Sequence, residues 1–531
     1  MTLSDPFVKE LHATRLLIHI DDPIPSEQIR QAFLLLDVAS KVWYPKYMKI
    51  KLTISNSRCQ VEGLTPELEK ALKAELRYLN QAVAYTYHGN LRQIERIKQQ
   101  LSPDAKIKIS SSAKLELMGR IKSLEGENRG LFRDLYKVLF KDGSFSTGLL
   151  PKFLAILNGS GSEYEIDDRR RKPAQKQIKH VLKESFPPRR YYQRAMSRLF
   201  VEKGRGIGVA PTGTGKTLTI ASLIWEMGVK TLIITPNKAI TVNMIDTLVK
   251  HFGKSKVTKL TTKSTKTTEI NVCNIQALVK MNPAMFEDVD CVIIDEFHHA
   301  AAETYQEVNE KHLKNVYYRI GMTATNFRND GSDLALEAVL SEVLYEYGIK
   351  QAIEDGFLVR PEFQIEETFF EGRSNYQDEY KEGIVENDDR NALIAQIAEH
   401  HKEHQVIILV QHVEHGERLK ALIPHAAFLH GTEKDLVRNN TMEDYRKGKI
   451  TCLIGTSVIG EGVDLPCAAV LVMAGGGKAR SAVMQNIGRV LRPYEGKEFA
   501  LVYDFTDTGT GEEPIYLEEH SKLRQEIYAQ Y

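Results

Sequence analysis

The stretch Ala210-Pro211-Thr212-Gly213-Thr214-Gly215-Lys216-Thr217 decides how the rest of the chain is read. It follows Gly206-Ile207-Gly208-Val209, which can end a buried strand, and precedes Leu218 to Ile224, which can open a helix. A Gly-rich turn between strand and helix aims a row of backbone N–H groups at one spot. Those groups and the positive end of the helix dipole suit a polyphosphate. Gly213, Thr214 and Gly215 would form the cradle, Lys216 would reach the β- and γ-phosphates, and Thr217 would hold Mg²⁺. The bland alternative is an ordinary Gly-rich turn that ends in Lys-Thr, and the strand–turn–helix context argues against it. The general pattern begins with Gly where this chain has Ala210.

The chain has 531 residues, too many for one core, so about three domains are expected. Its hydrophobic and charged fractions, 42% and 27%, are those of a globular protein rather than a disordered one. A net charge of +1 excludes any argument from overall basicity to nucleic acid. No apolar run approaches a membrane span, and no secretion signal is visible, which implies a cytoplasmic protein with no membrane partner. The cysteines Cys59, Cys273, Cys291, Cys452 and Cys467 are odd in number and far apart, and read as core thiols.

Along the chain, Arg15 to Ile20 and Met48 to Ile54 read as strands, the second with period two. Thr65-Pro66-Glu67 is a helix start, and the helix is expected to run through Leu72, Leu76 and Leu79. Lys114 to Leu124 and Gly130 to Phe140 have helical spacing, and Asn158 to Ser162 is the best linker candidate. Arg169-Arg170-Arg171-Lys172 opens a basic stretch to residue 205, either a solvated face or a phosphate-backbone contact. From there, short apolar strands alternate with helices: Thr231 to Ile234, Ile270 to Val272 and Cys291 to Ile294. The alternation resumes at Val406 to Val410, Ala427 to Leu429, Thr451 to Ile454, Ala469 to Met473 and Phe499 to Tyr503. That pattern predicts an α/β chain with two tandem parallel-sheet units after a small α/β or α+β N-terminal domain. The domains are placed at 1–160, 161–355 and 356–531.

Asp295-Glu296-Phe297-His298-His299 follows the strand Cys291 to Ile294. Two acids at the carboxyl end of a buried strand, downstream of a phosphate loop, suit ATP hydrolysis: Asp295 for the metal, Glu296 to take a proton from water. Adjacent histidines have poor spacing for a metal pair. Gln485 to Pro493 sets Arg489 and Arg492 three apart on one helical face, as a γ-phosphate clamp would require. A surface salt-bridge face is the bland alternative.

In order and spacing, these blocks resemble the motifs of superfamily 2 helicases over roughly residues 186–505. Ala-x-x-Gly-x-Gly-Lys-Thr is the usual form of the loop in that superfamily. Tyr191-Tyr192-Gln193 resembles the adenine-reading motif, with Gln193 as base contact, and Asp295 to His298 resembles the DExH box. Thr323-Ala324-Thr325 resembles the segment that couples hydrolysis to domain motion, a role shared with His298. Thr235, Pro236, Gln276 and Thr456 resemble nucleic-acid contacts, Gly460 to Asp464 a nucleotide-contacting loop that includes Asp464, and Gln485 to Arg492 the arginine-finger motif. Phe145 to Pro151, Gly321 to Arg328, Asp355 to Leu358 and Tyr376 to Asn391 resemble phage branch-migration helicases of the UvsW type, with features of XPB-like and restriction-translocase enzymes. The resemblance implies two RecA-like domains, ATP and Mg²⁺ as cofactors, and DNA with branches or single-stranded regions as partner. It implies unwinding or branch migration in replication, recombination or repair, alongside recombination or replication proteins. An RNA helicase is the alternative within the same enzyme class. A double-stranded DNA translocase module of a restriction or defence complex is a third reading, and the chain shows no nuclease motif.

Overall fold

The computed structural model describes residues 49–102, 110–174, 176–180, 182, 189–297, 302–324, 333–371, 375–456, 459, 465–497, 499–510 and 516–531. The strand expected at Arg15 to Ile20 lies outside the described residues.

The N-terminal part is built on β1 (Ile50–Ile54) and β2 (Arg58–Glu62), an antiparallel pair. Ile50, Leu52 and Ile54 are buried while Lys51 is exposed, the period-two burial read from the sequence. The helix Pro66–Glu75 starts as expected: Thr65 Oγ1 accepts from Leu68 N, and Pro66 opens the first turn. It does not run to Leu79. The chain turns at Leu76 into β3 (Arg77–Leu79), which pairs with β4 (Tyr136–Val138). The same pairing stops the second expected helix: Ser111–Asp134 is helical, and the residues after it form β4. Tyr78 is buried in the apolar cluster of the following domain, with Ile207, Leu336 and Leu340, so long-range packing overrides local helical spacing. Between β3 and β4, Gln81–Leu101 and Ser111–Asp134 form a helical hairpin with a small core of Ile94, Ile97 and Leu124.

Two further strands complete this sheet. Order β5-β2-β1-β6 joins β5 (Ser144–Ser146) and β6 (Tyr164–Asp168), with β6 parallel to β1. The Asn158–Ser162 stretch is therefore the turn from the helix Leu150–Gly159 back into the same sheet, not a linker out of it. The basic run that follows is partly neutralised: Arg169 bonds Asp167 at 2.8 Å and Arg170 grips Asp168 at 2.6 Å. Next, Lys176 N and Ile178 N donate to Met227 O and Gly228 O, strapping the chain onto the next domain. The buried Arg205 donates to Asn56 O at 2.7 Å, and Asn56 Nδ2 donates to Asn315 O at 2.6 Å, docking the N-terminal sheet on that domain.

The next sheet contains β7 (Arg205–Val209), β8 (Thr231–Thr235), β9 (Val257–Lys259), β10 (Ile270–Asn274), β11 (Cys291–Asp295), β12 (Tyr318–Thr323) and β13 (Val343–Glu346). All are parallel, in order β13-β7-β12-β11-β8-β10-β9. Every residue of β7, β8, β11 and β12 is buried, as strands covered by helices on both faces require. The last sheet holds β14 (Pro361–Glu371), β15 (Val406–Leu409), β16 (Ala427–Leu429), β17 (Cys452–Gly455), β18 (Val470–Val472) and β19 (Ala500–Thr510). These also run parallel, in order β14-β19-β18-β15-β17-β16. The two tandem RecA-like sheets behind a small N-terminal α/β region are as expected. Strands β9, β13 and β14 were not. β14 reads Pro-Glu-Phe-Gln-Ile-Glu-Glu-Thr-Phe-Phe-Glu, an edge strand too acidic to show as an apolar run. Among the described residues no helix is long and apolar enough to cross a membrane.

Candidate nucleotide site between two sheets

Three chain segments leave the carboxyl ends of the neighbouring strands β7, β12 and β11 together, where open parallel sheets bind ligands. They are the turn Ala210 to Thr217, the segment after Thr323, and Asp295-Glu296. Ala210 N donates to Thr323 O at 2.9 Å and Glu296 N to Met322 O at 2.8 Å, so the three are tied by backbone. Gly213 and Gly215 have φ of 90° and 89°, a left-handed backbone suited to glycine. Gly215 caps the helix Lys216–Met227 and makes no side-chain capping bond, leaving its leading N–H groups to a ligand. Carbonyls of the turn are held from behind: Tyr192 OH donates to Thr214 O, and Gln193 Nε2 to Thr214 O and Gly215 O at 3.4 and 3.3 Å. Gln193 Oε1 also accepts from Arg190 N, so this buried amide is committed to the turn and to its own helix.

Lys216 Nζ lies 3.2 Å from Glu296 Oε1 and donates to Ala210 O at 3.1 Å. Glu296 adopts φ of 46° and accepts from Ala324 N at 3.3 Å. Asp295 is 6% exposed, and its Oδ1 makes no hydrogen bond. Burial, then the Glu296 charge, push its carboxyl up to about 7, with Lys216 pulling the other way. A buried carboxylate oxygen without a partner, in a cleft that Thr217 also lines, is the donor chemistry a hard divalent cation takes. Among the described residues, no group of three His, Cys, Asp or Glu residues is placed to hold a metal by itself. All five cysteines are buried free thiols.

The other wall comes from the last sheet. A cleft of about 1470 Å³ is lined by Lys216, Thr217, Asp295 and Glu296 on one side and by Gln485, Arg489 and Arg492 on the other. Arg489 belongs to the helix Arg480–Val490, but Arg492 lies beyond its end, so the two do not share a helical face. They reach the cleft separately. The walls already touch: a Cβ on Gly488 would lie 2.9 Å from Thr212 Cβ, and one on Gly213 2.9 Å from Arg492 Cγ. Val359 N donates to Leu491 O at 2.7 Å, and Leu358 joins the apolar cluster that runs from Ile224 to Ile487 and Leu491.

Sequence reasoning missed two cleft residues. The Arg190 guanidinium stacks over the Phe357 ring at 3.9 Å, and both line the cleft near the phosphate turn. A cation next to Tyr191-Tyr192-Gln193 was the available signal for Arg190. Phe357 belongs to the Asp355 to Leu358 segment that the resemblance marks, but nothing in the sequence placed it in the cleft, because it arrives from the connection between the sheets. That connection is anchored by Asp355 Oδ2, which accepts from Tyr191 OH at 2.7 Å and Tyr347 OH at 2.6 Å.

The remaining expected residues are scattered. Thr235 ends β8, Pro236 follows it and Gln276 follows the neighbouring β10, so all three lie at the carboxyl ends of adjacent strands, outside the cleft lining. Of these only Gln276 is exposed; the Thr235 hydroxyl is bonded to Thr241 Oγ1 at 2.6 Å. Thr456 is buried at the end of β17, its N–H donated to Leu429 O. His298, Thr325 and Asp464 lie outside the described residues.

Comparison with known proteins agrees with this arrangement. The family described as type III restriction enzyme, res subunit, matches residues 174–328, and the helicase conserved C-terminal domain matches residues 389–494. The ATP-dependent DNA helicase uvsW of Enterobacteria phage T4 is 25% identical, over 60% of this chain and 68% of its own. The DNA 3'-5' helicase XPB of Mycobacterium tuberculosis is 22% identical, over 59% of this chain and 60% of its own. The structure of the ATP-dependent Type ISP restriction-modification enzyme LlaBIII bound to DNA shares the fold. Its TM-score is 0.50 at 14% identity, over 72% of this chain and 34% of that one. The chain spans about half the length of the curated relatives it matches. One matched domain lies on each side of the cleft, and together they support the superfamily 2 helicase reading of the chain.

Proposed function

We propose that this chain is an ATP-driven DNA helicase or translocase that unwinds or branch-migrates branched DNA in replication, recombination or repair, in the cytoplasm of a bacterium or an infected host. The observation that carries the reading is the meeting of Lys216, Asp295 and Glu296 with Arg489 and Arg492 across one cleft. The working units are residues 1–168, 169–355 and 356–531; the first boundary, expected at 160, moves past β6 because Tyr164–Asp168 pairs with Ile50–Ile54.

In this reading Lys216 exchanges Glu296 for the β- and γ-phosphates of ATP, and the N–H groups at Gly215 and Lys216 take the remaining oxygens. Thr217 and Asp295 would hold Mg²⁺, which supplies positive charge against the phosphate oxygens. Glu296, released from Lys216, orients water and takes its proton. Arg489 and Arg492 stabilise the charge that gathers on the transferred phosphoryl group. Arg190 and Phe357 present a flat cationic and aromatic surface to the base. Loss of the γ-phosphate removes what holds the arginines, and the walls separate. DNA is gripped through its phosphates by both sheets, at Gln276 after β10 and at the end of β17, so binding is sequence-tolerant and salt-sensitive.

Lys216→Ala and Glu296→Gln test the assignment. Each should abolish ATP turnover while DNA binding persists. Full turnover in either variant would remove the basis of the reading.

A further inference from the structure

We propose that Lys497 is a positioning residue for the arginine pair, fixing the turn that ends the Arg489 helix and carries Arg492; this rests on the function proposed above. The Lys497 ammonium donates to Val490 O at 2.5 Å, to Arg492 O at 3.2 Å and to Pro466 O at 3.2 Å. Val490 is the last residue of the helix Arg480–Val490, where carbonyls lack intrahelical partners and the helix dipole is negative. Arg492 is the residue brought against Gly213. Pro466 follows Leu465, the residue at which the described chain resumes after Asp464. One ammonium, with three N–H donors, therefore ties its own turn to the helix end at Val490 to Arg492 and to Pro466, and both Arg492 and Pro466 line the cleft. The turn that carries it is tight: Lys497 N donates to Tyr494 O, and Gly496 has φ of 76°.

A lysine held only by neutral carbonyls in a part-buried place carries its charge at a cost. Burial pulls the Lys497 ammonium down to about 8, and the nearby Arg492 guanidinium acts in the same direction. The Cys467 thiol faces Lys497 from the Pro466 side and acts the other way. Arg446, from the helix Asp435–Arg446, faces that same thiol. Tyr494 and Glu495, on the Lys497 turn, are exposed. A neutral amine has two N–H donors for three carbonyls, so one tie is lost as the pH passes the ammonium's range. The geometry of the turn should loosen with it, and the arginine pair with the turn.

The test is steady-state ATPase of the full chain with saturating forked DNA, from about pH 6.5 to about 9.5. It compares wild type with Lys497→Met, which keeps the stem without the charge, and with Arg489→Ala and Arg492→Ala. Lys497→Met should lower kcat about 10- to 100-fold, as misplacement of catalytic groups does, with KM for ATP near the wild-type value. Wild-type kcat should fall above about pH 8, and the Lys497→Met profile should be flat there. If both arginine variants keep wild-type turnover, the function proposed above fails. If they lose it while Lys497→Met keeps wild-type kcat and the alkaline fall, the Lys497 proposal alone is overturned. Should Lys497→Met not fold, hydrogen exchange of the wild-type Leu491 and Arg492 amides decides. Exchange that rises above pH 8 beyond the intrinsic base-catalysed rate supports the proposal, and exchange that follows the intrinsic rate overturns it.

Discussion

Gly213→Ala probes the contact between the two halves of the motor at one atom. Gly213 has φ of 90°, a conformation that costs a residue with a Cβ about 1–2 kcal/mol. The added methyl would sit 2.9 Å from Arg492 Cγ, 3.2 Å from its Nε and 3.3 Å from Leu358 Cδ2. Arg492 is a flexible side chain and can move a few tenths of an ångström, but it then leaves the position from which, in the proposed function, it would meet the phosphates. Removing one preorganised donor from a transition state costs about 10²–10³-fold, so displacing one should cost about 10- to 100-fold in kcat. Stability should fall by only about 1–2 kcal/mol, from the backbone term. Nucleic-acid-stimulated ATPase and thermal melting separate the two effects. The double variant Gly213→Ala, Arg492→Ala should be no slower than Arg492→Ala alone, because both act through one contact. Wild-type kcat in Gly213→Ala, or full additivity in the double variant, would refute the closed-cleft contact.

Two further outcomes follow from the packing. Gly148→Val should unseat the N-terminal sheet, because its Cβ would fall well inside contact distance of the backbone oxygens of Glu337 and Ala338; a loss above about 3 kcal/mol in melting is expected. An unchanged melting curve would contradict the docking. The second concerns acid. His415 is fully buried, bonds Asn391 Oδ1 at 2.9 Å, and is pushed down to about 3 by burial and then by the Arg390 charge. Its neutral ring stabilises the fold above its unfolded pKa of about 6.5, and that contribution drains as pH falls toward 3. From pH 6.5 to 5 the loss is about 2 kcal/mol, and denaturant titration of His415→Gln should show a shallower acid slope than wild type.

The nucleotide wall was legible because its signals are local. A Gly-rich turn after an apolar strand fixes where Lys216 and Thr217 lie, and the acids Asp295 and Glu296 close the next strand but one. The opposite wall was legible in identity but not in geometry. Arg489 and Arg492 were three apart in sequence, yet the helix stops at Val490, and the turn held by Lys497 sends Arg492 to the cleft by another route. The N-terminal region was read least well because long-range pairing governs it. β3 and β4 are short, separated by two helices, and each sits where residue spacing continues a helix. Gln193 shows the limit of motif reading: expected as a base contact, its amide is engaged with the phosphate turn itself. Thr235 is similar, with a hydroxyl satisfied inside the fold.

The central claim is that the Lys216 cleft drives motion on DNA. ATP turnover should be measured with forked DNA, a four-way junction, duplex DNA, single-stranded DNA and RNA of equal length, at one fixed salt concentration. The account predicts the strongest stimulation by branched or single-stranded DNA, and less by RNA. Stronger stimulation by RNA than by any DNA, or turnover indifferent to all of them, would contradict it.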